Sequence, residues 1–199
     1  MVSLPRILAE GYQRFRKNRF QQEESLFQEL AQGQEPTVAV IACVDSRIYA
    51  TEIFDAKPGD LFIIRNVAGL VPPYRGADEY RSTAAALEFA VCHLQVQHIV
   101  VLGHQHCGGI KAFTQPDMEH TEHISAWMHQ LKDVAPTNDI TLLEQAAIRK
   151  SVENLTSYPF IQEQIAQKKL TVHGAWIALP SIEIHWMKTV GFENINMQK

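Results

Sequence analysis

Three short runs in the first half of the chain are almost continuously apolar: TVAVIAC (Thr37 to Cys43), DLFIIRN (Asp60 to Asn66) and HIVVLG (His98 to Gly103). Each is rich in β-branched residues and does not alternate apolar with polar positions, which is the pattern of a strand covered on both faces. Between the second and third runs lies DEYRSTAAALEFAVCHLQV, Ala-rich and predicted helical. Strand, helix and strand in that order make a parallel βαβ unit. Residues 4 to 31 instead carry Leu4, Ile7, Leu8, Tyr12, Phe15, Phe20, Leu26, Phe27 and Leu30 at helical spacing, which predicts one or two amphipathic helices ending near Gly33. Beyond Gly109 the pattern is again helical. TEHISAWMHQLKDV opens with a threonine suited to cap it, DITLLEQAAIRKSVENLTS follows, and Pro159 starts a fresh helix in YPFIQEQIAQKK. LTVHGAWIAL and SIEIHWM then read as two further strands about a turn at Pro180 and Ser181. The expected architecture is α/β: a mainly parallel sheet of four to five strands flanked by helices. An N-terminal helical arm, residues 1–33, precedes a single domain, residues 34–199.

A chain of 199 residues is long enough to bury one sizeable core. Its formal net charge of −4 gives no general attraction to nucleic acid or anionic lipid. The basic run RFRKNRF (Arg14 to Phe20) comes with no RNA-binding motif and reads as a solvated helix face or a subunit contact. No apolar stretch approaches the roughly 18 residues that span a bilayer. The N-terminus, MVSLPRILAEGYQRF, lacks a long apolar segment followed by a small-residue cleavage site. The three cysteines, Cys43, Cys92 and Cys107, are too few and odd in number for a disulfide framework and suit a reducing compartment. The expectation is a cytoplasmic protein with neither nucleic-acid nor membrane partners.

Ligands of open parallel sheets bind beyond the carboxyl ends of the strands. Cys43 ends the first predicted strand and His104 ends a later one. Cys107 follows three residues on, in a turn that Gly103, Gly108 and Gly109 permit. Zn²⁺ favours thiolate and imidazole in a tetrahedron, and a Cys₂His set is a catalytic combination because it leaves one position open. Cys92, on an apolar helix face, reads as a small buried hydrophobe. His120, His123 and His129 fall on a polar helix and read as exposed, and His106 cannot replace His104 without distorting the turn. CVDSR places Asp45 and Arg47 two and four residues past Cys43. An aspartate there can bind zinc as a fourth ligand or accept the proton of a zinc-bound water, and a guanidinium can grip it and keep it ionised. An ordinary loop salt bridge is the other reading of that pair.

CVDSR together with GHQHCGG about sixty residues later resembles the paired signatures of the β-class carbonic anhydrases. GDLFIIRNVAGLVPPY, STAAALEFAVCHLQVQHIVVLGH and SVENLTSYPFIQEQIAQKKLTVHGAWIAL are similar to that family too, so the resemblance spans residues 34 to 180. It implies one zinc per chain on Cys43, His104 and Cys107, with Asp45 and Arg47 as a catalytic dyad. The reaction it implies is the reversible hydration of carbon dioxide to bicarbonate and a proton by attack of zinc-bound hydroxide. The plant-like branch lines its substrate pocket with residues that match Gln34, Phe62, Val67 and Tyr80, and Gly108 borders the same pocket. Several of these come from a neighbouring subunit in the family, which implies a homodimer or a larger homo-oligomer. A second branch closes its site by moving the aspartate onto zinc, and its marker tryptophan is replaced here by Val40. The open form, with Asp45 on Arg47, is therefore expected. Gln105 departs from the small hydroxylated residue usual after the histidine, and Gly69 from a commoner asparagine. A carbonyl sulfide or carbon disulfide hydrolase of the same fold and a non-catalytic zinc-stabilised module are the alternatives.

Overall fold

The computed structural model describes residues 4–76, 82–114, 122–134 and 137–195. The chain divides into two compact units, Met1–Glu35 and Pro36–Lys199. The first holds three helices where one or two were expected: α1 (Arg6–Lys17), α2 (Arg19–Gln22) and α3 (Glu24–Leu30). The breaks fall at Asn18 and Glu23, whose backbones leave the helical region (φ −108°, ψ −85° and φ −112°, ψ 16°). Phe27 packs edge-on against Phe15 and stacks on Phe20, with centroids 5.8 and 5.5 Å away, so the bends gather the helical stripe into one aromatic cluster. Arg16 lies 3.9 Å over the Phe20 ring, which uses part of the basic run within the unit.

The second unit is built on a six-stranded sheet in the order β2-β1-β3-β4-β5-β6. β1 (Val38–Cys43), β2 (Leu61–Asn66), β3 (His98–His104) and β4 (Thr171–Ile177) run parallel. β5 (Ile184–Met187) and β6 (Phe192–Asn194) add two antiparallel strands at one edge. The sixth strand was not expected, because three residues are too few to show a period.

The continuous apolar runs have their reason in the central strands. Ala39, Ile41, Ile99 and Val101 face a cluster with Leu87, Ile148, Leu155 and Ile161. Their neighbours Val40, Ala42, Val100 and Leu102 face Ala50, Ala175 and Ile177 on the opposite side. Full burial of each valine, isoleucine or leucine among these is worth about 1.5–3 kcal/mol before the entropy of ordering is set against it.

The helices of this unit are α4 (Ala50–Ile53), α5 (Ser82–Glu88), α6 (Gly108–Phe113), α7 (Glu122–Met128), α8 (Ile140–Leu155) and α9 (Pro159–Ala166). α5 runs on as a π-helical turn over Phe89–His93. Asp139 caps α8 by accepting from the amides of Thr141 and Leu142, and Pro159 opens α9 as its position suggests. Thr121, expected to cap the preceding helix, lies outside the described residues. α8 meets β3 and β4 at two glycines: a Cβ on Gly103 would come within 2.5 Å of Ile148 Cδ1, and one on Gly174 within 2.9 Å of Ile148 Cγ2.

Register fixes where the chemistry falls. Ala42 of β1 is level with Leu102 of β3, so Cys43 and His104 both emerge at the carboxyl rim of adjacent strands.

Candidate active site

Cys43, His104 and Cys107 are all buried, and their donor atoms lie within 4.8 Å of one another. The two Sγ atoms stand 3.9 Å apart, far beyond a disulfide. Two thiolates at about 2.3 Å from one tetrahedral zinc would be separated by about 3.8 Å, so the spacing fits the ion. His104 Nδ1 is 3.0 Å from the carbonyl of Gln105, where it serves as the donor, leaving Nε2 with its lone pair. That Nε2 is buried and has no hydrogen-bond partner in the protein. A buried unsatisfied acceptor beside two thiols is the mark of an ion site.

The thiols differ in acidity. The Cys43 thiol is pulled down to about 4, first by hydrogen bonding from Cys107, against burial, and then by His104. Cys107 is pushed well above the ordinary thiol range by Cys43 and by burial. The two sulfurs, 3.9 Å apart and buried, are too close to carry two negative charges without a cation between them. Burial alone would lower the His104 imidazole, but the nearby Cys43 sulfur, the Gln105 carbonyl and Asp45 leave it raised.

Asp45 is gripped by Arg47 at both oxygens: Nε donates to Oδ1 at 2.9 Å, Nη2 to Oδ2 at 2.7 Å, and the Arg47 amide also donates to Oδ1 at 2.9 Å. Those hydrogen bonds hold the carboxyl well below the usual carboxylate range in spite of desolvation. Asp45 Oδ2 is 3.9 Å from His104 Nε2, which puts the clamped carboxylate against the metal cluster. Arg47 Nη2 reaches on to the carbonyl of His106 at 2.9 Å and so ties the two signature loops together.

Two charged residues that the sequence pattern left unremarked complete the surroundings. Arg65 of β2 donates to the carbonyls of Cys43, Asp45 and Ile48 at 2.8 to 3.1 Å and straps the loop that carries the dyad. Glu144 of α8 is 2% exposed. It accepts from the Cys107 amide at 3.0 Å and from Trp176 Nε1 at 3.1 Å, while burial raises its carboxyl. A carboxylate at a buried helical position beside Leu143, Ala147 and Ile148 was the available signal for Glu144. Arg65, inside an apolar strand, gave a weaker signal of the same kind.

Of the expected substrate-side residues, the structure brings two to the cluster. Val67 packs against the group that contains Cys43 and Cys107. Gly108 follows Cys107 directly at the start of α6, with open space where a Cβ would stand. Phe62 is level with Ala39, four residues before Cys43, so it lies about 13 Å along the strand from this rim and packs on Phe89 instead. Gln34 belongs to the first unit. Tyr80 lies outside the described residues.

Gly69 takes a left-handed backbone (φ +63°) with a Cβ position 3.1 Å from the Cys43 amide nitrogen. Asparagine tolerates that conformation too, but its Cβ would crowd the main chain of Ala42 and Cys43, which glycine avoids. Gln105 uses its side chain on the amide of Leu179 at 2.8 Å, so the departure serves the end of β4. Cys92 corrects the sequence reading: it is exposed, because the wide π-helical turn buries Ala90 and Val91 and carries Cys92 outward. His123 and His129 are exposed as expected, and His120 lies outside the described residues.

Fold and site together define a class: an α/β protein whose metal donors come from the ends of neighbouring parallel strands, with a clamped carboxylate beside them. Comparison with known proteins narrows it. Residues 38–184 match the family described as carbonic anhydrase. The chain is 35% identical to Beta carbonic anhydrase 3 of Arabidopsis thaliana, over 83% of its own length and 69% of that protein's. It is 36% identical to Beta carbonic anhydrase 5, chloroplastic, of the same plant, over 81% of this chain and 58% of that one. Its fold superposes on the β-carbonic anhydrase CcaA with a TM-score of 0.85 at 29% identity, covering 94% and 97% of the two chains. A tetrameric β-carbonic anhydrase from Sordaria macrospora gives a TM-score of 0.81 at 30% identity, with 91% and 95% covered. The chain belongs to the carbonic anhydrase family, in its β class.

Proposed function

We propose that this chain catalyses the reversible hydration of carbon dioxide to bicarbonate and a proton, using one zinc held by Cys43, His104 and Cys107. The observation that carries the reading is the unpartnered Nε2 of His104, buried between two thiols and 3.9 Å from a carboxylate already committed to Arg47. Zinc in this cluster would supply the Lewis acidity that activates a water molecule for attack on carbon dioxide.

The chain's own residues direct that attack. Asp45, kept ionised by Arg47, is an acceptor only, so it can orient a water proton and turn a lone pair toward the substrate. Arg47 in turn is fixed by the His106 carbonyl, so the carboxylate keeps one direction. Val67 supplies apolar surface beside Cys43 and Cys107, and no side chain crowds Gly108 next to them. The product proton passes to solvent or buffer.

Phe62, Gln34 and Tyr80 are assigned to the pocket of a second copy of this chain. The distance of Phe62 from its own rim supports that assignment, and with it a homodimer or larger homo-oligomer. No helix among the described residues is long and apolar enough to cross a membrane. The three unpaired cysteines favour a reducing compartment, and the cytoplasm is the proposed one. Stopped-flow assays with carbon dioxide and with carbonyl sulfide test the reading. Rapid carbon dioxide hydration with little carbonyl sulfide turnover is expected; the reverse preference, or no turnover of either by zinc-loaded protein, overturns it.

A further inference from the structure

The turn from His104 to Cys107 has to hold two metal donors, yet His106 within it adopts a left-handed backbone (φ +56°) without being glycine. Such a conformation persists only when the surroundings impose it. Two side chains grip this turn from outside it. Arg47 donates to the His106 carbonyl, and Glu144 accepts from the Cys107 amide at 3.0 Å. Cys107 is itself 2% exposed and stands at the N-terminal cap of α6, where water does not reach its amide. The second oxygen of Glu144 is held by Trp176 of β4, so the carboxylate is fixed at both ends. The same face of α8 continues the pattern. Ser151 accepts from the Val71 amide at 3.1 Å, and Asn154 donates to the Val71 carbonyl at 2.8 Å. One helix thus sets both the cysteine turn and the chain segment leading from Val67.

We propose that Glu144 is a positioning residue for the metal centre: it anchors the Cys107 amide so that Sγ is presented to the ion in a fixed direction. Trp176 is the brace that keeps Glu144 in place. The proposal rests on the assignment of zinc to Cys43, His104 and Cys107. Outer groups that orient metal donors typically affect metal affinity by about 10- to 100-fold when removed. Glu144→Leu removes the acceptor. Glu144→Gln keeps one oxygen, but turning it to Cys107 points the amide donor at the Trp176 N–H, and Trp176→Phe relieves that clash.

The test is the rate of zinc release to a chromogenic chelator, together with the thiolate-to-cobalt charge-transfer band of the Co²⁺-substituted protein. Glu144→Leu is expected to release zinc about 10- to 100-fold faster than wild type and to shift the band. Glu144→Gln should fall between them, and Glu144→Gln with Trp176→Phe should return to within about threefold of Trp176→Phe alone. Wild-type release and an unshifted band in folded Glu144→Leu would overturn the proposal, since a residue needed only for core stability moves neither. If Glu144→Leu does not fold, the glutamine variants decide, and failure of Trp176→Phe to rescue Glu144→Gln counts against the idea. A wild-type protein that shows no thiolate-to-cobalt band sinks the zinc assignment itself, which keeps the two failures apart.

Discussion

Arg47 makes three hydrogen bonds to Asp45 and one to His106 but belongs to no metal donor set, so its removal separates metal binding from turnover. Arg47→Ala should keep about one zinc per chain while carbon dioxide hydration falls about 100-fold or more, because a general acid–base partner that loses its orientation loses most of its effect. Zinc content and stopped-flow rates on the same preparation check this, and loss of zinc would make Arg47 a structural residue instead. Cys107→Ser should lose metal and activity together. The two thiols also make zinc uptake pH-dependent. Proximity and burial hold a proton on the thiol pair well above the ordinary thiol range, and that proton must leave when zinc binds both sulfurs. Protons therefore compete with zinc, and affinity should fall about tenfold per pH unit of acidification for each proton released. Calorimetric titration of the metal-free protein in two buffers of different ionisation enthalpy counts those protons; an uptake without proton release contradicts the assignment of Cys107.

The packing of α8 on β3 sets the cluster at the scale of elements. Gly103→Ala should cost about 1–3 kcal/mol by driving a methyl group into Ile148, and Ile148→Ala in the same chain should recover part of that loss. Thermal unfolding of the single and double variants measures the coupling, and strict additivity would show that the contact is not what limits the site. Elements of this kind were well foreshadowed. β1, β2 and β3 declared themselves because a strand covered on both faces leaves an uninterrupted apolar run, and the cysteine–histidine donors followed from their places at two strand ends. The three-residue β6, the bends at Asn18 and Glu23 and the π-helical turn were not legible, since each is set by contacts made after folding rather than by a local period. Glu144 and Arg65 were obscured for the same reason: their partners, main-chain groups and the Trp176 side chain, come near only in the folded sheet.

For the whole molecule, the position of Phe62 matters most, about 13 Å from its own metal rim by strand geometry. If a second copy supplies Gln34, Phe62 and Tyr80, two inactive chains should complement each other. A Cys43→Ser chain mixed and reassembled with a Gln34→Ala chain would form dimers in which one site has both its metal donors and its glutamine. Statistical mixing should restore about a quarter of the wild-type activity, since half the dimers are mixed and each has one intact site. No recovery in reassembled dimers would mean that each chain completes its own pocket.

In the proposed site three protein donors hold the metal while Asp45 stays on Arg47. A crystal structure of the zinc-loaded protein at neutral pH tests it most directly. Zinc is expected on Cys43, His104 and Cys107, with solvent at the fourth position and both oxygens of Asp45 still paired with Arg47. Asp45 found on the zinc, with Arg47 released, would contradict it.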